Sequence, residues 1–283
     1  MKALIVLTPS ESKRLIGKAV AQLEVVQQAL KNGTVIIDNS STNAFVAEEI
    51  LKMNINKNLF ASGVIFPKGL CVNRARAYQH IVLNKGKIVG DITKEKYSLD
   101  GIKKEDSHIH ETINTLQKGD VWIKSANALD AGGGAGILMA SVTGGRVGMA
   151  LGVLMARGVD FIIPVGLEKL IPVPVSEVAK ELGQGRLDYC MGLKVGLMPV
   201  YGQVVSEIEA IKILTGTTAI PASAGGISGA EGAITLLLKG EPAQIKSATT
   251  IIEDLKGEPA IFVPLTDCGK CPFIYCQQNI TKK

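Results

Sequence analysis

Short apolar or β-branched runs recur along this chain, each followed by a loop of small polar residues and then by a helical stretch. That order lays down parallel strands, because a parallel pair needs a long crossover and a strand buried on both faces reads as an unbroken apolar run. From Ser10 to Lys31, Leu15, Ile16, Ala19, Val20, Leu23, Val26 and Leu30 fall at helical spacing. Ser10 is placed to cap that helix and Asn32-Gly33 to end it. Thr34-Val35-Ile36-Ile37 then reads as a buried strand, Asp38 to Asn43 as a polar turn, and Ala44 to Leu51 as a second helix.

The same alternation continues. Ser62 to Ile65 and Gln79 to Leu83 read as strands, and Asn84-Lys85-Gly86-Lys87 as a hairpin turn. Helices are expected at Glu111 to Gln117, Thr143 to Arg157, Val175 to Leu182, Val204 to Leu214, Glu231 to Leu238 and Glu241 to Lys256. Strands are expected at Asp120 to Lys124, Gly136 to Ser141, Phe161 to Val165, Leu193 to Val200, Thr217 to Ala222 and Ala260 to Val263. The expected class is α/β, a mostly parallel, Rossmann-like sheet flanked by helices with some antiparallel strands. Residues 1–175 and 176–283 form two α/β portions, or one continuous unit, since no composition shift marks a linker.

Composition limits the partners. With 31 Lys+Arg against 26 Asp+Glu, the net charge of +5 is mild for 283 residues, and aromatic residues are only 4%. Nucleic-acid binders concentrate basic residues and add stacking rings, so no nucleic-acid role is expected. No apolar run approaches the roughly 18 residues of a membrane span; the longest, Val147 to Ala156, stops at Arg157. The start of the chain lacks a signal-peptide pattern. The expectation is a cytoplasmic protein with no membrane partner, one that binds a small anionic metabolite and is open to homo-oligomerisation.

Ligands of parallel α/β sheets sit beyond the carboxyl ends of strands. Four small-residue loops are expected there: Asp38 to Asn43, Ser125 to Ala135, Thr143 to Gly148 and Ser223 to Gly232. Ser40, Ser41, Thr42 and Asn43 open a helix, where hydroxyls and free amides hold a phosphate or merely cap. Lys124, Asn127 and Asp130, with Gly132, Gly133 and Gly134, suit close approach of a polar ligand, or a solvent turn. Gly144, Gly145 and Arg146 form a helix start that suits an anion, but lack the spacing of a dinucleotide or P-loop site. Glu168 beside Lys169 offers a proton-transfer pair or a structural ion pair.

Asn32 to Phe45 resembles the phosphate loop of ribose-5-phosphate isomerases and their relatives. Ala126 to Asp130, followed by Gly132-Gly133-Gly134-Ala135, is similar to the second loop of that superfamily, and Ile163 to Pro172 to a segment of lactate-utilisation proteins. These patches within Lys31 to Pro172 imply the fold shared by sugar-phosphate isomerases, glucosamine-phosphate deaminases and CoA transferases. Asp38-Asn39-Ser40 stands where the isomerase loop has glycines, and Ile137 to Ser141 where that pattern carries an acid and a lysine. The CoA transferase glutamate nucleophile has its counterpart candidate in Glu231; a first-turn helix acid is the other reading.

Cys268, Cys271 and Cys276 have Cys-x2-Cys-x4-Cys spacing, which suits zinc or an iron–sulfur cluster if Cys71, Cys190 or a histidine completes the set. A redox or structural disulfide and reduced thiols are the alternatives. His108-Ile109-His110, with Asp106 and Glu111, brings two imidazoles together only if extended.

Overall fold

The computed structural model describes residues 1–73, 80–89, 105–265, 267–269, 271 and 276. Strand β1 (Lys2–Leu7) leads into α1 (Pro9–Gln22). Thr8, not Ser10, caps this helix: its hydroxyl accepts from the Glu11 amide while the Glu11 carboxylate accepts from the Thr8 amide, and Pro9 occupies the first helical position. The single helix expected from Ser10 to Lys31 is two. Leu23 turns extended (ψ 132°) before α2 (Glu24–Asn32), and the Gln27 side chain satisfies the Ala21 carbonyl that the break leaves open.

There follow β2 (Thr34–Asp38), α3 (Ser41–Leu51), β3 (Gly63–Phe66), β4 (Gly69–Val72), β5 (His80–Asn84) and β6 (Lys87–Ile88). The β5–β6 turn is the expected hairpin, with Lys85 and Gly86 both at positive φ (47° and 74°), the twist a two-residue loop needs. Next are α4 (Glu105–Thr115), β7 (Val121–Ile123), β8 (Ala128–Asp130), β9 (Ala135–Met139), α5 (Gly145–Arg157), β10 (Asp160–Pro164) and β11 (Leu170–Ile171). The chain continues through α6 (Val175–Glu181), β12 (Gly196–Val200), β13 (Gln203–Val205), α7 (Glu207–Thr215), β14 (Thr218–Ala224), β15 (Ile234–Lys239) and α8 (Pro242–Asp254).

The principal sheet has the order β13-β10-β7-β2-β5-β6. Its first four strands run parallel, and β5 and β6 are antiparallel additions at one side. Val35–Ile37, Val121–Ile123 and Phe161–Ile163 are all buried, which is why these strands read as unbroken apolar runs. Trp122 and Phe161 pack ring against ring at 4.9 Å across β7 and β10. Helix α1 packs with α3 and α7, while α2 lies against β2, β5 and β7. One apolar core runs from Leu7 to Leu255, with a small satellite around Ala128, Val175 and Leu197.

Three smaller sheets accompany the principal one among the described residues, the smallest being the antiparallel pair β3-β4. In the order β1-β15-β14, all pairs are antiparallel; in β11-β8-β9-β12, only β11 and β8 are parallel. The helix expected at Glu231 to Leu238 is strand β15. Ile234, Leu236 and Leu238 are buried and Thr235 and Leu237 only partly so, a period of two that three consecutive leucines obscure. The strand expected at Ala260 to Val263 has no ladder; the Phe262 amide donates instead to Asn58 Oδ1 at 2.8 Å. Of the helix expected from Val204 to Leu214, the first residues belong to β13.

Arg14 fixes α1 in place. Its guanidinium lies 4.8 Å over the Phe45 ring and bonds Glu48 on α3 at 2.5 Å, Glu49 at 3.2 Å and Glu258 at 2.9 Å. Lys57 adds a 3.1 Å contact to Glu48. Burial pushes the Glu48 carboxyl up, but the Ile55 amide, Arg14 and Lys57 overcome it and hold the group below its ordinary range. This network anchors the helix whose first turn reaches the site described next.

Candidate functional site at the carboxyl edge of the sheet

From β2 the chain builds the sheet one way through β5 and β6, then the other way through β7, β10 and β13. The order therefore reverses between β2 and β7, and the crevice beyond their carboxyl ends is where open parallel sheets place ligands. Asp38 ends β2, Lys124 and Ser125 follow β7, Glu168 and Lys169 follow β10, and Glu207 follows β13. Because β5 is antiparallel, its first residue, His80, pairs with Asp38 at the same edge.

The first cluster centres on Asp38, which is fully buried. Lys124 Nζ donates to its Oδ2 at 2.5 Å and Arg146 Nε to its Oδ1 at 2.6 Å. A second Arg146 nitrogen reaches Asn39 Oδ1 at 2.7 Å, and the Asn39 amide donates to Asp38 at 2.9 Å. Burial pushes the Asp38 carboxyl up; Arg146, Lys124 and His80 outweigh it and leave the carboxyl below its ordinary value. Burial and Arg146 push the Lys124 amine down, and Asp38 only partly restores it. Two cations thus share one carboxylate.

Asn43 holds this corner together. Its amide nitrogen donates to the Asp38 carbonyl at 2.7 Å and the Ile123 carbonyl at 3.0 Å, tying the ends of β2 and β7. Ser40 caps α3 by accepting from the Asn43 backbone amide at 2.9 Å. Ser41 is half-buried beside it, and Thr42 is fully buried with a hydroxyl that finds no partner.

The second cluster forms around Lys169. Its amine donates to the Ala126 carbonyl at 3.0 Å and approaches the Ser125 hydroxyl at 3.5 Å. Its neighbour Glu168 pairs instead with Lys13, from the first turn of α1, at 2.7 Å. Burial pushes the Lys169 amine down to about 8 with help from Lys13, against the opposing charges of Glu168 and Glu207. Glu207, fully buried, accepts from the Leu167 amide through Oε2 at 2.9 Å, while Oε1 has no donor. Burial, with Glu168 nearby, pushes the Glu207 carboxyl up; the Leu167 amide and the neighbouring Ser12 hydroxyl oppose this without cancelling it. A buried acid and a half-buried amine with displaced proton affinities are the parts general acid–base chemistry uses.

Sequence reasoning named Lys124, Arg146, Glu168 and Lys169, which the fold brings to this edge. It missed Asp38 as the hub, and also His80, Lys13, Ser12 and Glu207. Glu207 follows Ser206 in a capping box with Glu209, so a local reading makes it an ordinary first-turn acid. Only the parallel pairing of β10 and β13 brings it beside Leu167.

The remaining candidates stand apart. Asp130 Oδ1 accepts from the Gly132 and Gly134 amides and Oδ2 from the Val175 amide, making it the hub of the β8–β9 hairpin and its link to α6. Gly133 takes positive φ (82°) in that turn. Asn127 is exposed, its side-chain oxygen accepting from the Leu138 amide at 3.0 Å. Gly144 and Gly145, both at positive φ, start α5 and so aim Arg146 back at Asp38. Glu231 lies exposed in the β14–β15 loop, accepting from the Gly229 amide, while Gly232 lies against Pro9 and Glu168. A cavity of about 260 Å³ lined by Lys18, Gln22, Gln27, Glu49 and Lys52 touches none of the edge residues.

Backbone pairing gathers cysteine-bearing segments elsewhere. Leu70 pairs with Gly192 and Leu193 with Cys276, so the chain around Cys71, Cys190 and Cys276 runs side by side. All five cysteines, including Cys268 and Cys271, are half-buried. No group of three or more His, Cys, Asp or Glu side chains suited to a metal occurs among the described residues. His108 and His110 fall on α4, where residues two apart do not share a face. Among the described residues no helix is long and apolar enough to cross a membrane.

A scan against protein-family models finds no match for this chain, and a search of curated proteins finds no relative.

Proposed function

We propose that this protein is an enzyme acting on a small anionic metabolite, namely a phosphorylated sugar, an organic acid or an acyl-CoA, received at the carboxyl edge between β2 and β7. Lys124 and Arg146 receive its negative group, and Lys169 with Glu207 and Glu168 moves protons. The observation that carries this reading is that the carboxyl edge of the parallel strands gathers Lys124, Lys169 and Glu207 after β7, β10 and β13, with Arg146 held to Asp38 at the reversal of strand order. Displaced proton affinities are concentrated at sites that do acid–base work.

The test combines thermal unfolding of the full chain with mass detection of turnover, using sugar phosphates, hydroxy and keto acids, and CoA esters. A ligand at a hundredfold excess over its Kd stabilises by about 2.7 kcal/mol, and Arg146→Gln should abolish that shift. Conversion that Lys169→Met removes supports the enzyme. A panel that neither stabilises the protein nor is converted rejects the reading.

A second reading, a non-catalytic metabolite sensor, is favoured by Asp38. Its carboxylate already occupies Lys124 and Arg146, so an incoming anion has to share or displace it, and that exchange would move the start of α5. Stabilisation without turnover selects this alternative.

A further inference from the structure

We propose that Lys169 forms a covalent imine with a carbonyl compound, an aldehyde or ketone bearing a phosphate or carboxylate, and that Glu207 supplies the protons this attachment needs. The proposal rests on the anion-binding reading for the substrate's charged end, and adds the identity of its reactive group.

The placement of Lys169 is unusual for a lysine. Its amine has only neutral oxygens as partners, the Ala126 carbonyl and the Ser125 hydroxyl. Among the described residues no carboxylate lies within the 4.0 Å of an ion pair, because its sequence neighbour Glu168 is engaged by Lys13. A buried ammonium without a counter-ion is costly, so the site favours the neutral amine, which is the nucleophile. Lys169 is half-buried, so part of the residue meets solvent.

Glu207 complements it. One oxygen is held by the Leu167 amide, and the other has no donor. Gly166 lies close against that oxygen, so that a Cβ there would come within 3.3 Å of Oε1. Both groups stand at the turn after β10, Lys169 within it and Glu207 bonded to its Leu167 amide. Lys124 follows the same strand as Ser125, about one strand spacing of 5 Å from the end of β10. The anion corner and the amine therefore follow neighbouring strands of the same sheet edge.

The chemistry balances without a cofactor. The Lys169 nitrogen lone pair adds to the carbonyl carbon as the C=O π pair moves to oxygen; that oxygen takes a proton from the Glu207 carboxyl, and the resulting carboxylate takes one from the nitrogen, giving a carbinolamine and restoring the acid. The nitrogen lone pair then forms the second bond of C=N as the hydroxyl leaves as water with the Glu207 proton, giving a protonated imine and a Glu207 carboxylate. The electron-poor imine eases loss of a proton or cleavage of a bond at the adjacent carbon. With the amine held near 8, about a tenth of it is neutral at pH 7 and about half at pH 8.

Sodium borohydride decides the matter, because hydride reduces an imine to a stable secondary amine. The full-length protein would be treated at pH 8 with borohydride and pyruvate, glyceraldehyde 3-phosphate or ribose 5-phosphate, then digested for peptide mass mapping. The proposal expects an adduct on Lys169 at least tenfold above the exposed Lys85 and Lys239, absent in Lys169→Arg and reduced tenfold or more in Glu207→Gln. Labelling of Lys169 no greater than at Lys85 and Lys239 overturns it; peptide mapping of the wild-type protein gives this answer even if the variants misfold. Lactate and glycerol 3-phosphate, which carry the charge but no carbonyl, separate the two proposals. If they stabilise the fold while no adduct forms, the imine is wrong and the anion site stands; if nothing stabilises it and no adduct forms, both fall.

Discussion

Arg146, at the start of α5, donates to the carboxylate of Asp38, at the end of β2, over 2.6 Å and across 108 residues of chain. Lys124 takes the other oxygen at 2.5 Å. This one buried carboxylate therefore registers three elements, β2, β7 and α5, at the point where the sheet reverses its order.

Asp38→Asn should be among the more damaging single substitutions. It keeps the shape but leaves two cations without their counter-charge, and breaking a buried pair in this way costs about 3–5 kcal/mol. Urea unfolding measures the loss. Adding Arg146→Met should cost less than the sum of the two single changes, since the partners act as a unit.

Acid should destabilise the protein for an identifiable reason. Asp38, Glu11 and Glu48 have carboxyls held below their ordinary values. A carboxyl depressed in the folded state contributes stability above its unfolded value near 4, and that stability is lost as pH falls through the folded value. The urea midpoint should fall steeply below about pH 4. Asp38→Asn should flatten the descent.

Lys169 gives a dependence of the same sign on the alkaline side. Its folded value of about 8 lies below the unfolded 10.5, so the unfolded chain binds more protons between these limits and stability rises with pH there. The span corresponds to on the order of 3 kcal/mol. Lys169→Met, compared with wild type from pH 7 to 10.5, should be more stable at neutral pH and lose that advantage as pH rises. Parallel curves would contradict the assignment.

Asp130→Ala should act on the fold alone. It removes the acceptor for the Gly132, Gly134 and Val175 amides, a loss of about 1–2 kcal/mol at this half-exposed position. The melting temperature should drop while ligand-induced stabilisation is retained.

Much of the architecture is legible in the residues. The β-branched runs at Val35–Ile37 and Phe161–Ile163 become central parallel strands because their two faces are covered, and Asn84 to Lys87 carries the residues a hairpin turn needs. The α/β class follows from that alternation. The errors have local causes. Leu236-Leu237-Leu238 after a glycine loop satisfies helix and strand templates equally, and only pairing with β1 and β14 decides it. Leu23 breaks a helix that its apolar spacing continues through. For the site, Lys124, Arg146, Glu168 and Lys169 were readable because loops after parallel strands are the expected place to look. Asp38 was less so, because a carboxylate in a presumed anion loop looks unfavourable until two cations from distant segments are seen to hold it. Glu207 and Lys13 carried no signal, since each is ordinary in its own helix.

The most direct test of the central claim is an anomalous-scattering measurement on crystals soaked in tungstate, a heavy oxyanion that stands in for phosphate. The account predicts a peak at the carboxyl edge between β2 and β7, within hydrogen-bonding distance of Lys124 or Arg146, that disappears in Arg146→Gln. Tungstate bound only at other surfaces, with that edge empty, would contradict it.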